Sequence, residues 1–580
     1  MGTYKFKCED RNYQSWSMYD SKTLQEVNIT DYNIDPAHHK LMNQDIIEVD
    51  DETKIFVQIL HSCNREMLVL AGVMSFDKMY GKVKNKQNKY YFKVVPDDAR
   101  LPVFVVPYTI KKMGFHKKQH KSYVIFKYKD WSGKFPEGEL IHTIGSVTEL
   151  PNFYEYQLYC KSLYSSIQSF TAKTKQALKN SPMDVIINGV IDNPKYCMED
   201  RRGDKWRVIA IDPEGSKDFD DAFGMVTLDK EQDLHMLSIY ISNVSVWMDA
   251  LGLWGSFSRR ISTIYLPDRK RPMLPSILSD MLCSLLENET RFAFALDITV
   301  QGGKIIKQEC KNAVISVTKN YTYEDKRLLN DVTYLKTLDL LVEMNRVFKF
   351  QNCDDLYDSH TLIMFLMVLM NYVCAKEFEK HKCGVFRSIK LNYDMEKVPK
   401  TLPREMTQFL QTWNSTGGQY LKHENYDGHD LLRLEAYVHI TSPIRRLVDL
   451  LNMMTLQEKM GIFEMNEDAR TFRDDWLKDE NIEYINVSMR AIRKMQTQCT
   501  FLHMCVNEEG FLEKEYEGYV FDKIKRNDGL YQYNVYIPKL KLMNKYTTRH
   551  EHENYDRQMY KLHLMECSES YKKKVIISYA

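Results

Sequence analysis

Hydrophobic and polar residues alternate over the first third of the chain in short runs that turn-forming residues interrupt. An alternation with a period of two is typical of β-strands that bury one face. The clearest runs are KIFVQIL at 54–60, MLVLAGVMSF at 67–76 and LPVFVVP at 101–107. The pattern predicts two small β-barrels, at 46–97 and 98–153, after a polar N-terminal extension at 1–45.

The rest of the chain combines strand-like runs with long segments of helical period. RVIAIDP at 207–213 and FAFALDITV at 292–300 indicate buried strands, whereas 362–378 indicates a largely apolar helix. We therefore expect a helical connector at 154–200, a large α/β domain at 201–507 and a third barrel at 508–580. Small barrels that flank a larger domain suit a protein that guides a nucleic-acid strand into a site, because they present grooves and stacking aromatics.

Composition narrows the class of protein. A chain of 580 residues is too long for one hydrophobic core, and 44% hydrophobic with 27% charged residues is ordinary for a soluble globular protein. The net charge is only +1, so a polyanion would have to be attracted by local basic clusters such as the Lys-rich stretch at 111–121. The 12 cysteines form no C-x-x-C pair, which favours reduced thiols in the cytoplasm or nucleus. The apolar run at 362–374 is shorter than a bilayer requires, so no membrane association is expected.

The sharpest local motif is IDPEGSKDFDDAF at 211–223, directly after a hydrophobic strand. It brings four aspartates together: Asp212, Asp218, Asp220 and Asp221. Carboxylates this close repel one another unless a cation offsets their charge, and hard divalent ions prefer such oxygens. Two ions held in this way can activate a water and stabilise the leaving oxygen of a phosphodiester. A solvated acidic turn is the more common meaning of an isolated D-x-D-D motif.

Two further segments carry candidate phosphate and base contacts. In AYVHITSPIRRLVDLL at 436–451, Arg445 and Arg446 follow a Ser-Pro turn at the start of a helix, where guanidinium groups bind phosphate bidentately. In RRISTIYLPDRKRPMLP at 259–275, Tyr265 lies where a ring could stack on a nucleotide. Each has an ordinary alternative, namely arginines paired with surface acids and a tyrosine packed in the core.

These three segments, in this order and spacing, resemble the RNase II/RNase R family of RNB-domain exoribonucleases. The segment at 131–146 resembles the second cold-shock-type barrel of the eukaryotic exosome-nuclease branch, and the tail from 515 resembles the C-terminal RNA-binding barrel. The resemblance implies a multidomain α/β fold, with two N-terminal OB-type β-barrels, a central α/β RNB catalytic domain and a C-terminal OB-type barrel. It implies processive 3′-to-5′ hydrolysis of single-stranded RNA to 5′-nucleoside monophosphates.

The resemblance also implies roles for individual residues. The metal ligands would be Asp212, Asp218, Asp220 and Asp221, holding two Mg²⁺ ions for which Mn²⁺ could substitute. The catalytic group would comprise Asp220, Asp221, Tyr265 and Arg445, with Asp220 the most important for hydrolysis. Tyr265 would position the 3′-terminal nucleotide and Arg445 would contact the scissile phosphate, while Arg446 would support the RNA backbone path or the fold.

The chain departs from the family pattern in several places. Positions where the family has a carboxylate early in a helix hold Met364 and Phe365, and the usual I-A-D-V-S strand has Asn243 in place of its aspartate. Leu447 and Met453 replace a tyrosine and a histidine, and 488–500 offers no late carboxylate. Such drift is typical of a divergent member, for example a viral or parasitic one. It affects the contacts to the terminal nucleotide and leaves the aspartates in place.

Two other functions compete with the nuclease. The first is a degenerate RNB protein that binds RNA without cutting it, favoured by loss of the helix carboxylate and opposed by retention of all four aspartates. The second is a two-metal phosphatase or endonuclease, which would release free phosphate or make internal cuts. We expect an active exoribonuclease.

Overall fold

The computed structural model describes the whole chain except 84–85, 87, 110–120, 349–355, 393–397, 400 and 568–572. Nearly all of the Lys-rich stretch at 111–121 therefore lies outside the described residues. The chain divides into two compact units. The first comprises Met1–Tyr164, Leu266–Asp268 and Met495–Ala580, and the second comprises Ser165–Tyr265 and Arg269–Lys494.

The first 61 residues form one five-stranded sheet rather than a polar extension. Its strands are β1 (Gly2–Cys8), β2 (Trp16–Asp20), β3 (Glu26–Val27), β4 (Ile46–Val49) and β5 (Phe56–His61), in the order β3-β2-β1-β4-β5. Tyr4, Phe6 and Cys8 alternate into the core of this sheet. The extension predicted at 1–45 is therefore wrong, because those residues supply three of the five strands.

A closed barrel follows the short helix α1 (Cys63–Glu66). Its strands are β6 (Leu70–Lys82), β7 (Lys89–Pro96), β8 (Phe104–Thr109), β9 (Ser122–Asp130) and β10 (Glu137–Ser146). The order is β10-β8-β7-β6-β9, and β10 closes the barrel by pairing with both β8 and β9. Strand pairing thus places the two N-terminal sheets at 2–61 and 70–146, and the division predicted at 46–97 and 98–153 cuts through both of them.

Helices connect the barrel to the second unit, as the pattern at 154–200 predicts. They are α2 (Leu150–Cys160), α3 (Gln168–Asn180) and α4 (Met183–Ile191). The largest sheet then has the order β11-β18-β12-β13-β14-β17. Its strands are β11 (Met198–Arg201), β12 (Val208–Asp212), β13 (Asp221–Asp229), β14 (Leu234–Ser242), β17 (Thr290–Gln301) and β18 (Lys304–Thr322). The 19-residue strand β18 pairs with β11, β12 and β17.

Smaller elements complete the second unit. They are α5 (Val244–Ala250), β15 (Ile264–Tyr265), β16 (Lys270–Arg271), α6 (Val332–Phe348), α7 (Ser359–His381), β19 (Val385–Ser388), α8 (Arg404–Trp413), β20 (Gln419–Lys422), α9 (Leu447–Lys459) and α10 (Glu467–Trp476). Helix α7 packs its apolar side chains, among them Leu362, Phe365 and Leu369, into the core beneath the sheet. By length and composition α7 could cross a membrane, but 61% of its most apolar window is buried in this core.

The chain ends in a second open five-stranded sheet, after α11 (Asp479–Asn507). Its strands are β21 (Tyr516–Lys525), β22 (Tyr531–Ile537), β23 (Leu542–Thr548), β24 (Arg557–Glu566) and β25 (Lys573–Tyr579), in the order β23-β22-β21-β24-β25. This order repeats that of the N-terminal sheet, and closing it through its two outer strands gives the order of the barrel. All three β-modules therefore share one OB-type topology.

Candidate functional site

The aspartate motif lies where two adjacent strands of the large sheet meet. Strand β12 ends at Asp212 and β13 begins at Asp221, and the two strands pair antiparallel with Ile209 opposite Phe223. This register brings the end of one strand next to the start of the other. Asp212 and Asp221 consequently line one cavity of about 910 Å³.

The cavity gathers the predicted site residues. Asp212, Asp218, Asp221, Tyr265, Arg445 and Arg446 all line it, and Asp220 lies behind Arg445. The sequence prediction that three distant segments build one site is therefore matched by their positions in the structure. Their catalytic and metal-binding roles remain predictions.

Asp220 is buried and holds the arginine motif in place. Its side chain is only 2% exposed, and its two oxygens accept hydrogen bonds from the Ile444 backbone N–H at 3.0 Å and from Arg445 Nε at 2.9 Å. Burial raises the pKa of Asp220 to about 7, although Arg445 and the Ile444 N–H act in the opposite direction. The backbone of Arg445 is fixed as well, because its carbonyl oxygen accepts from the Thr263 N–H at 2.9 Å.

Asp218 is engaged by a two-stranded hairpin. Strands β15 and β16 pair with Tyr265 opposite Lys270, so the two side chains are cross-strand neighbours. The Tyr265 hydroxyl donates to Asp218 Oδ2 at 3.1 Å, and Lys270 Nζ donates to Oδ1 at 2.8 Å. Lys270 also contacts Asp280 Oδ1 at 3.0 Å. Both oxygens of Asp218 therefore already accept hydrogen bonds from the protein.

Asp212 and Asp221 differ from the other two aspartates. Within the described residues no protein group donates a hydrogen bond to either carboxylate, and Asp212 Oδ2 is buried without a partner. Burial raises the pKa of Asp212, and the negative charges of Asp221 and Asp220 raise it further. Burial also raises the pKa of Asp221, which Arg445 partly counteracts. Two adjacent acids that are largely shielded from water in this way ionise together readily only when a cation compensates their charge.

No group of three or more His, Cys, Asp or Glu side chains has metal-binding geometry in the part of the chain that the structure describes. The fit of a divalent ion must therefore be judged from the available donors. Asp212 and Asp221 offer carboxylate oxygens free of protein donors, and Mg²⁺ commonly takes one or two carboxylates with water and substrate phosphate as its other ligands. The residues present fit a single ion of this type.

Arg446 is held differently from its neighbour. Arg446 Nη2 donates to Asp449 Oδ1 at 2.8 Å, and the same oxygen accepts from the Ser442 N–H at 2.8 Å. The Asp449 side chain is fully buried. This ion pair ties the Ser-Pro turn to the first turn of α9. The role of Arg446 in supporting the RNA path or the fold stays a prediction.

Helix α7 supplies the opposite wall of the cavity. Ile363, Met364 and Met367 line it, whereas Phe365 is fully buried in the core on the other side of the helix. Of the two positions where the family pattern expects a carboxylate, Met364 therefore faces the cavity and Phe365 does not. The wall is apolar at the place where a hydrogen-bonding acid is expected.

The sequence assigned no role to several cavity residues, among them Tyr323, His360 and Lys270. Tyr323 and His360 form a stacked pair, with ring centroids 3.9 Å apart and an interplanar angle of 12°, and Lys270 contacts Asp218. Tyr323 follows the end of β18 and His360 lies in the first turn of α7. Tyr323 and His360 belong to no motif in the sequence. The contact of Lys270 with Asp218 could have been predicted only from the register of the β15–β16 hairpin.

Asn243, the departure from I-A-D-V-S, does not line the cavity. It caps α5, its side-chain amide donates to Asn312 Oδ1 at 3.0 Å, and its own oxygen accepts from Ser245 Oγ at 2.7 Å. An amide both donates and accepts in this buried network, which a carboxylate could not do. The substitution is therefore explained by local hydrogen bonding.

Comparisons with known proteins agree with this arrangement. A family model described as the RNB domain matches residues 201–334 and 326–460. Ribonuclease R of Buchnera aphidicola subsp. Schizaphis graminum is 27% identical over 312 residues, which cover 42% of this chain and 43% of that relative. The match thus spans less than half the length of the relative.

Two solved structures share the fold. Mycoplasma genitalium RNase R, in complex with ribose methylated single-stranded RNA, has a TM-score of 0.67 at 15% identity, with 100% of both chains covered. Yeast Ssd1, described as a pseudonuclease, has a TM-score of 0.58 at 13% identity and covers 94% of this chain and 78% of its own. At this identity the likeness shows the fold alone.

The predicted fold class of OB-type modules around an α/β RNB domain is confirmed by these comparisons. The more specific likeness to the exosome-nuclease branch stays a prediction. Residues 201–460 match the RNB-domain family model, and part of the chain is similar to ribonuclease R.

Proposed function

We propose that this chain is a metal-dependent 3′-to-5′ exoribonuclease that hydrolyses single-stranded RNA processively to 5′-nucleoside monophosphates. One observation carries the proposal: two carboxylates without protein donors among the described residues, the half-buried Asp212 and the buried Asp221, share a cavity with the Arg445 guanidinium. An acidic pair needs a cation, and a cation beside an arginine forms a site for a phosphodiester. Bound Mg²⁺ would lower the pKa of a water and offset the charge of the leaving oxygen.

Arg445 suits a phosphate contact because only part of its guanidinium is used within the protein. Nε is held by Asp220 and Nη2 donates to Ser442 Oγ at 3.1 Å, while 46% of the side chain stays exposed. An arginine oriented in this way keeps donors free for a phosphate oxygen and loses little conformational entropy on binding. Asp220 is then the residue that orients Arg445 and adds negative charge behind the cation.

Tyr265 and the stacked pair of Tyr323 and His360 provide ring surfaces around the same cavity. Aromatic rings hold nucleotide bases by stacking, with little preference for sequence. The Tyr265 hydroxyl is oriented by Asp218, so its ring has a fixed position at the edge of the acidic end. We therefore assign to Tyr265 the positioning of the last nucleotide.

The substrate and compartment follow from related arguments. Single-stranded RNA is proposed because three OB-type modules accompany the RNB domain and because the RNase R of Mycoplasma genitalium was solved with such RNA. The described cysteines are all free thiols, which supports a reducing compartment such as the cytoplasm. The two-ion mechanism expected from the sequence remains a prediction.

The decisive experiment is incubation of 5′-labelled single-stranded RNA with the full chain and Mg²⁺. We expect a ladder of shortening products that ends in a short oligomer, 5′-monophosphates in the supernatant, and no reaction in excess EDTA. Internal cuts would indicate an endonuclease instead. A 3′-phosphorylated copy of the same RNA provides the control for 3′-end dependence.

One observation favours a second candidate, an RNA-binding protein without nuclease activity. The cavity wall that should hold the terminal nucleotide is apolar at Met364 and Met367, and the pseudonuclease Ssd1 shares the fold. Under this alternative the labelled RNA would shift in a gel without becoming shorter at any Mg²⁺ concentration. We favour the enzyme because all four aspartates of the motif are present.

A further inference from the structure

The four aspartates of the motif divide into two pairs with different partners. Asp220 and Asp218 each accept a hydrogen bond from a cationic side chain, Arg445 and Lys270 respectively. Asp212 and Asp221 accept none within the described residues. Only the second pair is ready to receive a metal ion without displacing a positive charge of the protein.

The cation on Asp218 is built into the fold. Lys270 lies in β16 directly opposite Tyr265 in β15, and both side chains reach the same carboxylate, one to each oxygen. A second acid, Asp280, holds Lys270 from the other side at 3.0 Å, and Ser279 Oγ donates to Asp280. The Lys270 side chain is only 23% exposed. An ammonium group with two carboxylate partners and little access to water has a strongly preferred position.

A divalent ion at Asp218 would therefore have to remove an ammonium group or lie beside it. Like charges a few ångströms apart repel strongly at a site shielded from water. In the observed position, Lys270 Nζ contacts both carboxylates at once, at 2.8 Å from Asp218 and 3.0 Å from Asp280. A second ion at Asp218 would therefore have to compete with the ammonium group of Lys270.

Resting on the proposed function, we propose that the site binds one divalent ion, at Asp212 and Asp221, and that Lys270 is a positioning residue that supplies the second positive charge through Asp218. The lysine acts as a fixed, protein-borne counter-ion, so metal stoichiometry distinguishes this chain from a two-ion nuclease. Lys270 touches neither substrate nor metal in this arrangement; it acts through Asp218.

The test is the number of Mn²⁺ ions bound per full chain, measured by isothermal titration calorimetry and by the loss of the free-ion electron paramagnetic resonance signal. We expect one ion for the unaltered chain. Lys270→Gln removes the counter-ion, so a second ion should bind, with an affinity at least about tenfold above any weak second binding by the unaltered chain.

Lys217→Gln is the matched control. Lys217 lines the same cavity, is exposed, and has no hydrogen bond to an aspartate among the described residues. Its substitution removes the same positive charge but leaves the contact between Lys270 and Asp218 in place. One ion should remain bound to this variant. A second ion in both variants would overturn the proposal, because the effect would then be one of overall charge. If Lys270→Gln does not fold, Lys270→Met replaces it.

The remaining outcomes are also decisive. Two ions on the unaltered chain, or one ion on both Lys270 variants, would overturn the counter-ion role while leaving a metal-dependent nuclease intact. No bound ion on any variant would overturn both this proposal and metal dependence. If the chain shortens RNA and binds two ions, the proposed function stands and the single-ion inference is wrong.

Discussion

The two walls of the cavity in the RNB domain are formed by different kinds of element. Only one of them carries a motif that can be recognised in the sequence. The acidic wall comes from a strand end and a strand start, where one short motif fixes four aspartates beside Arg445. The helical wall comes from α7 and presents Ile363, Met364 and Met367. The acidic wall is rich in charged groups, whereas the helical wall is apolar at these three positions and polar only at His360 and Asn371 among its described residues. Under the proposed function, we therefore expect cleavage and substrate retention to respond to different substitutions.

The largest effect is expected from the acidic wall. Asp220→Asn should lower the turnover of single-stranded RNA by about 10³-fold or more, because the charge that orients Arg445 disappears. RNA affinity, measured by fluorescence anisotropy, should stay equal or rise, since a negative charge near the phosphates is lost. Asp204→Asn is the control, because Asp204 is exposed and has no hydrogen bond or ion pair with the residues that the structure describes. Normal turnover of the Asp220 variant would remove the acidic wall from the mechanism.

A smaller loss should follow from changing the phosphate contact. Arg445→Lys keeps the charge and loses the planar donor fork, so turnover should fall by about 10²-fold with little change in affinity. Single-turnover kinetics separate the chemical step from binding. A collapse of binding with unchanged single-turnover rate would make Arg445 an anchor for RNA rather than a catalytic group.

The neighbouring arginine provides a contrast. Arg446→Ala leaves buried Asp449 without its ion-pair partner, so the free energy of unfolding should fall by about 3 kcal/mol. Urea denaturation measures this directly. A stable variant with a loss of turnover like that of the Arg445 variant would show that both arginines serve the reaction.

The acidic wall also predicts how metal-free stability depends on pH. Burial raises the folded-state pKa of Asp220 to about 7, above its value in the unfolded chain, and raises those of Asp212 and Asp221 in the same direction. Their contribution is therefore present at low pH and is lost as pH rises through the folded-state values. The Tm of the metal-free chain should fall by several degrees between pH 6.5 and 8.5. Added Mg²⁺ should restore Tm most at pH 8.5.

Calorimetry with and without EDTA measures this effect. The comparison starts at pH 6.5 because burial lowers the pKa of His429 and His439, so both are neutral throughout the range. A Tm that is independent of pH in the metal-free chain would mean that the acidic wall is already compensated by the protein.

The smallest effect is expected on the helical wall. Met364→Glu returns a carboxylate to the cavity and should change the length of the final oligomer and lower KM for short RNAs by up to about tenfold, with kcat nearly unchanged. Met281→Glu, at an exposed methionine elsewhere in the same unit, is the control. An equal change in KM for long and short RNAs would show that this wall does not contact the terminal nucleotide.

The same contrast explains what could be read from the sequence. The order of the aspartates, Tyr265 and Arg445 located the acidic wall because each lies in a motif with its own local signature. The role of Lys270 could not be predicted, because its contact with Asp218 depends on the register of a two-residue strand pair. The N-terminal sheet was missed although Tyr4, Phe6 and Cys8 alternate inward, because polar loops separate its short strands.

The long strand β18 has a consequence for motion. Its 19 residues share backbone hydrogen bonds with β11, β12 and β17, and Asp212 ends one of those partners. Breaking β18 loose would disrupt three ladders at once, so its amides should exchange with deuterium only through global unfolding. The acidic wall is therefore expected to stay rigid while the helical wall can move. In the proposed exoribonuclease, the movement that accompanies each step is therefore expected at α7 and the loops.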